Sequence, residues 1–155
     1  MNKYAIIMPA GSGKTTISKK YDYIYDIDEF KEEKDNILLQ NLSIQAMKNN
    51  DWTEYNKKEY DIIKDRIKLL PSNSIILIHC IKKALQHNLE ILCSLKIAKK
   101  IMLEIAEQRG KKYNDWRKQI TIYSWEHTDA KICESFDEIE KIIIKKYLIC
   151  NIHIY

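Results

Sequence analysis

Residues 8–16 read Met-Pro-Ala-Gly-Ser-Gly-Lys-Thr-Thr and follow an apolar run, Tyr4, Ala5, Ile6 and Ile7. Glycines at 11 and 13 admit backbone conformations closed to other residues. Successive N–H groups can therefore turn inward and, with the start of the next helix, cradle an anion. Lys14 would reach the outer phosphates of a bound nucleotide, and the Thr15 hydroxyl would complete the coordination of Mg²⁺. The full phosphate-loop pattern opens on Gly where this chain has Met8. That position shapes the exit from the strand, whereas Gly11, Ser12, Gly13, Lys14, Thr15 and Thr16 carry the phosphate contacts. A strand, this loop and a helix in succession imply an α/β fold with a largely parallel sheet.

At 155 residues the chain is the length of one domain, and a single domain over 1–155 is expected. A net charge of +4, without a long basic stripe interleaved with aromatics, leaves nucleic acid a possible but unsupported partner. Cys80, Cys93, Cys133 and Cys150 are too scattered for a zinc site or redox pair and read as reduced core residues. No stretch approaches membrane-spanning length and no secretory signal opens the chain, which predicts a cytoplasmic protein of cellular or viral origin. Oligomeric state is left open.

Along the chain, a first strand over 3–8 is apolar on both faces, as in the centre of a covered parallel sheet. A helix to about residue 20 and a second strand over 22–27 follow. Strand alternation would put Asp26 and Asp28 on one side at the strand's C-terminal end, the end that holds ligands in open α/β sheets. Residues 29–49 read as a helix with a break near Asn41. Asp51 caps the next helix, with Glu54 three residues later, and Pro71 stops it. A third strand over 74–79 ends in His79 and Cys80, where the corresponding strand of a nucleotide-binding fold commonly ends in Asp.

A helix over 81–92 and a weak strand over 94–97 precede a helix over 98–109 closed by Gly110 as its C-cap. Asn114 would cap a further helix through Trp116, Ile120 and Tyr123. A final strand over 130–134 leads to Ser135, Phe136, Asp137 and Glu138, a capping box opening the last helix. The tail, 148–155, reads as an edge strand or an interaction segment.

In this order the loop, the Asp26-Ile27-Asp28 pair and a basic segment around Arg109 and Arg117 resemble the small P-loop kinases: nucleoside and nucleoside monophosphate kinases, and the shikimate and gluconate kinase group. The resemblance implies a three-layer P-loop NTPase fold, a central, mostly parallel sheet with helices on both faces and a helical lid over about 98–127. It implies ATP and Mg²⁺ as cofactors. In shikimate kinase-like proteins the D-x-D serves metal and acceptor, so Asp26 would hold a Mg²⁺-bound water and Asp28 would orient the acceptor hydroxyl.

Arginine is scarce, and of 26 basic residues only Arg66, Arg109 and Arg117 are arginines. Two of them fall in the lid, where guanidinium groups would neutralise the migrating phosphoryl. Arg66 lies in the region that closes over the acceptor in nucleoside monophosphate kinases, and would bind an acceptor phosphate or serve as a solvated face residue. His79, Gln86, Tyr55, Trp116 and Trp125 are weaker candidates, with core or lid packing the safer assignment for both tryptophans. A small-molecule acceptor follows, a nucleoside or nucleoside monophosphate first. A shikimate-like metabolite or a polynucleotide 5′ end is the alternative, and a non-catalytic nucleotide-binding regulator the reading from a different class.

Overall fold

The computed structural model describes residues 2–113 and 115–152. The chain divides into two compact units, Met1–Asp26 with Ser72–Tyr155, and Ile27–Pro71.

The first unit is built on five strands: β1 (Tyr4–Ile7), β2 (Ile24–Asp26), β3 (Ile75–Ile78), β4 (Glu90–Ile97) and β5 (Lys131–Cys133). They form one sheet in the order β2-β3-β1-β4-β5, and every pairing is parallel. Each residue of β1 and β3 is buried, which is why both segments read as unbroken apolar runs. β1 lies between β3 and β4, so the chain leaves β1 where successive connections depart to opposite sides of the sheet. In open α/β sheets ligand crevices lie at the carboxyl ends of the strands at such a switch point.

The helices of this unit are α1 (Lys14–Ser18), α4 (Ile81–Gln86), α5 (Lys99–Tyr113), α6 (Trp116–Glu126) and α7 (Phe136–Ile152); α2 and α3, in the second unit, are Glu33–Asn49 and Thr53–Leu69. Tyr4, Ile6, Ile75, Leu77, Leu95 and Ile97 form a core with Ile17 of α1, Met102 and Ala106 of α5, Trp125 of α6, and Ile139 and Ile143 of α7. Lys96, only 9% exposed, donates to the carbonyls of Trp125 at 3.1 Å and Thr128 at 2.8 Å, and its ammonium stands 4.0 Å from the Trp125 ring centroid. A cation at these terminal carbonyls complements the negative end of α6. Trp125 adds a bond from its indole nitrogen to the Ile97 carbonyl at 2.7 Å, which makes it a core residue.

In the second unit a 3₁₀ helix over Ile27–Phe30 precedes α2 and α3. Glu32 and Asp35 close a reciprocal capping box on α2, which runs unbroken past Asn41. Asp51 caps differently from expectation. It accepts the Thr53 N–H at 3.0 Å, and α3 begins at Thr53.

Three boundaries are corrected. α4 ends at Gln86 because Asn88 takes a left-handed conformation, φ 54°, and β4 then starts at Glu90, earlier than the 94–97 strand expected. Gly110 lies inside α5, not at its end. A Cβ built there would sit 2.9 Å from Lys118 Cβ, so its missing side chain lets α5 and α6 approach. Residues 148–152 continue α7, so that part of the tail is helical, whereas 153–155 and the Asn114 cap lie outside the described residues. Half of the last capping box is present: Ser135 Oγ accepts the Glu138 N–H at 3.2 Å, whereas the Glu138 carboxylate accepts the N–H of Glu134, one residue before the cap, at 2.8 Å.

All four cysteines are free, with Cys133 buried and the others half-buried. Burial pushes the thiols of Cys93, Cys133 and Cys150 up, so they stay protonated. No helix among the described residues is long and apolar enough to cross a membrane.

Candidate functional site

The loop between β1 and α1 is fixed at both ends. Met8 N–H bonds the Ile78 carbonyl at 2.8 Å, continuing the β1–β3 ladder, and Ala10 N–H bonds Ser124 Oγ of α6 at 3.0 Å. Gly11 (φ 81°) and Gly13 (φ 90°) both adopt the left-handed conformation that the spacing called for. At both a side chain would press on a neighbour. A Cβ on Gly11 would meet Thr121 Cγ2 at 3.1 Å, and one on Gly13 would meet the Phe136 ring at 3.1 Å. The loop thus lies under α6 and against the start of α7, which sequence order alone does not suggest.

α1 is only five residues long, so its dipole is small and the concavity depends on the loop itself. Its ladder begins with Ile17 N–H on the Gly13 carbonyl at 3.1 Å, and within the loop the Ser12 N–H bonds the Pro9 carbonyl at 3.3 Å. Lys14 is 7% exposed, and its ammonium lies 3.5 Å from the Met8 carbonyl. Ser12 is fully buried, and its Oγ is without a hydrogen-bond partner. Burying a hydroxyl unpaired costs about 1–3 kcal/mol, and an anion seated in the loop would bring an acceptor to it.

Thr15 Oγ1 donates to Asp26 Oδ2 at 2.7 Å. Asp26 is 1% exposed at the end of β2, whereas Thr15 and Thr16 are exposed. Thr15 and Asp26 supply hard oxygens of the type Mg²⁺ takes. Among the described residues no group of three or more His, Cys, Asp or Glu could hold a metal.

Arg109 stands half-buried on α5, and its Nη1 donates to Thr121 Oγ1 at 3.3 Å. Thr121 in turn donates to the Arg117 carbonyl at 2.8 Å. Arg109 is therefore linked to the loop through Thr121, a fully buried residue the sequence did not single out. The Arg117 guanidinium lies 5.4 Å from the Trp116 ring centroid, and both residues are exposed.

Asp28 and Arg66 belong to the second unit. Alternation does not extend to Asp28, since β2 ends at Asp26 and Asp28 sits exposed in the 3₁₀ helix. Arg66 pairs with Glu32, and this guanidinium, with Lys34, holds the Glu32 carboxyl below its usual range. Tyr55 donates to the buried Glu59 at 3.3 Å and Lys31 pairs with Glu59 at 2.9 Å. Burial and the Glu59 charge push the Tyr55 phenol up to about 12. His79 is half-buried just beyond β3, and Gln86 is exposed at the end of α4.

No family model and no curated protein matches this chain. A solved structure, an uncharacterized protein from Eubacterium ventriosum ATCC 27560, is similar to it at 17% identity. The match covers 94% of this chain and 97% of that one, with a TM-score of 0.45.

Proposed function

We propose that the chain is an ATP-dependent phosphotransferase with a P-loop NTPase fold, acting in the cytoplasm on a nucleoside or a (deoxy)nucleoside monophosphate. The observation that carries this is the 2.7 Å bond from Thr15 to Asp26 beside a loop with two left-handed glycines. The orphaned Ser12 hydroxyl supports it as well.

The loop N–H groups from Gly11 to Thr16 and the Lys14 ammonium hold the β- and γ-phosphates. Thr15 and Asp26 would hold Mg²⁺, which would supply charge neutralisation at the phosphate oxygens. Arg109, aligned by Thr121, presents its guanidinium to the migrating phosphoryl, and Arg117 adds charge at the lid surface. By the D-x-D resemblance, Asp28 would orient the acceptor hydroxyl and receive its proton.

Arg66 already has a carboxylate partner in Glu32, which favours, of the two acceptors proposed, the nucleoside over the monophosphate. A shikimate-like metabolite and a polynucleotide 5′ end are the alternative acceptors.

The test is transfer from γ-labelled ATP with Mg²⁺ to a panel of nucleosides, nucleoside monophosphates, shikimate, gluconate and a 5′-hydroxyl oligonucleotide. A labelled product is the expected outcome and identifies the acceptor. ATP binding with no label in any acceptor would overturn the kinase assignment in favour of a nucleotide-binding regulator.

A further inference from the structure

We infer that the outward face of α6 is a binding surface for single-stranded nucleic acid. Trp116, Ile120, Tyr123 and His127 follow one another at intervals of four, three and four residues, which places them in one stripe. Trp116 is 59% exposed and Tyr123 64%. The opposite side of the same helix buries Thr121 and Trp125. The stripe therefore points away from the core, and its aromatic rings gain nothing from packing there.

The rings are set out as stacking surfaces. Tyr123 and His127 lie parallel, 3.8 Å between centroids and 21° between planes, and the Arg117 guanidinium sits over Trp116. Along α6, Trp116 and Tyr123 are about 10 Å apart, enough to engage separate bases of one strand. Every nucleobase offers a π-face, so stacking of this type tolerates sequence.

Charge selects the occupant. Residues 98–127 hold seven Lys and Arg against four Asp and Glu, so this segment contributes +3 of the chain's net +4. Lys111 and Lys112 close α5 beside the start of α6, and both are exposed. A second copy of the chain would bring the same positive excess against itself. A lipid surface calls for a deeper apolar face than one isoleucine among aromatics provides. Stacked bases on a phosphate backbone match both the rings and the sign of the charge.

The test omits ATP, so its outcome does not depend on phosphate transfer. Fluorescence anisotropy of a labelled oligo-dT of about twelve nucleotides is measured with the full chain. Trp116→Ala and Tyr123→Ala should each weaken binding about tenfold, while Trp116→Tyr retains most of it and Trp52→Ala, in the other unit, changes nothing. Affinity should fall with salt at a log–log slope of about −2, as for three neutralised phosphates. Both positions are exposed, so circular dichroism of the variants should match the parent. Absence of binding at low salt, or binding indifferent to both alanine variants, overturns the inference. So does phosphatidylserine-vesicle binding that replaces oligonucleotide binding, or a dimer that Trp116→Ala converts to monomer.

Discussion

Arg109 donates to Thr121 at 3.3 Å, and the methyl of the same threonine stands 3.1 Å from where a Cβ at Gly11 would lie. One residue of α6 thus aligns an arginine and shapes the loop. Thr121→Val keeps the methyl packing and removes the hydroxyl. Steady-state kinetics should show kcat down about tenfold, within the usual worth of one positioning group, with little change in the KM for ATP. An unchanged kcat would remove Thr121 from the site.

Ser12→Ala deletes a buried hydroxyl that has no partner in the ligand-free chain. Thermal denaturation without ligand should show a gain of about 1 kcal/mol, roughly 3 °C for a chain of this size. With ATP and Mg²⁺ the ordering should reverse, since bound phosphate accepts the serine proton only in the parent. Equal ligand-induced shifts would show that the hydroxyl never meets a phosphate.

Lys14→Ala and Asp28→Asn separate binding from transfer. Calorimetry should detect no ATP binding by the first. The second should bind ATP normally and transfer its phosphate about a hundredfold more slowly. Normal transfer by Asp28→Asn would leave that carboxylate without a chemical role.

Gly110→Ala raises intrinsic helix propensity by about 0.5–1 kcal/mol, yet the new Cβ would lie 2.9 Å from Lys118 Cβ. Overpacking of this sort costs about 1–3 kcal/mol. Clash should therefore outweigh propensity, and urea denaturation should place the variant below the parent. A more stable variant would show that α5 and α6 can separate freely.

Stability should also depend on pH through Tyr21 and Glu140, whose side chains meet at 2.6 Å. The bond to Glu140 raises the Tyr21 phenol from 10.0 to about 12. The stabilisation is complete below pH 10 and fades as pH climbs through 12. On the acid side, the bonds from Tyr21 and Lys20 hold the Glu140 carboxyl below its usual range. That contribution is present above the unfolded carboxylate value and is lost as pH falls through the folded one. The melting temperatures of the parent and Tyr21→Phe should differ most at neutral pH and converge at both extremes.

β1, β3 and the loop between β1 and α1 were legible in the sequence because local signals agree: apolar runs buried on two faces, bounded by glycine or by turn residues. The misread parts are those that distant residues decide. Gly110 resembles a helix stop until Lys118, eight residues on, is seen to need its space. The run from Leu89 to Leu92 keeps a helical spacing, and only the turn at Asn88 reassigns it to β4. Thr121 offers no local signal, since a threonine on an amphipathic helix is unremarkable until the fold sets it against Gly11. Asp26 and Asp28 look like one strand pair in sequence, but the 3₁₀ helix beginning at Ile27 takes Asp28 out of the strand.

The contacts that shape residues 10–13 come from Ser124, Thr121 and Phe136, more than a hundred positions downstream. Closing such long chain segments is slow, because loop entropy is lost before the contacts repay it. During synthesis the N-terminal loop emerges early and must wait until α6 and the start of α7 have left the ribosome. Nascent chains that stop before Phe136 carry the whole glycine motif without the groups that pack against it, so competence to bind should appear late and abruptly as the chain lengthens.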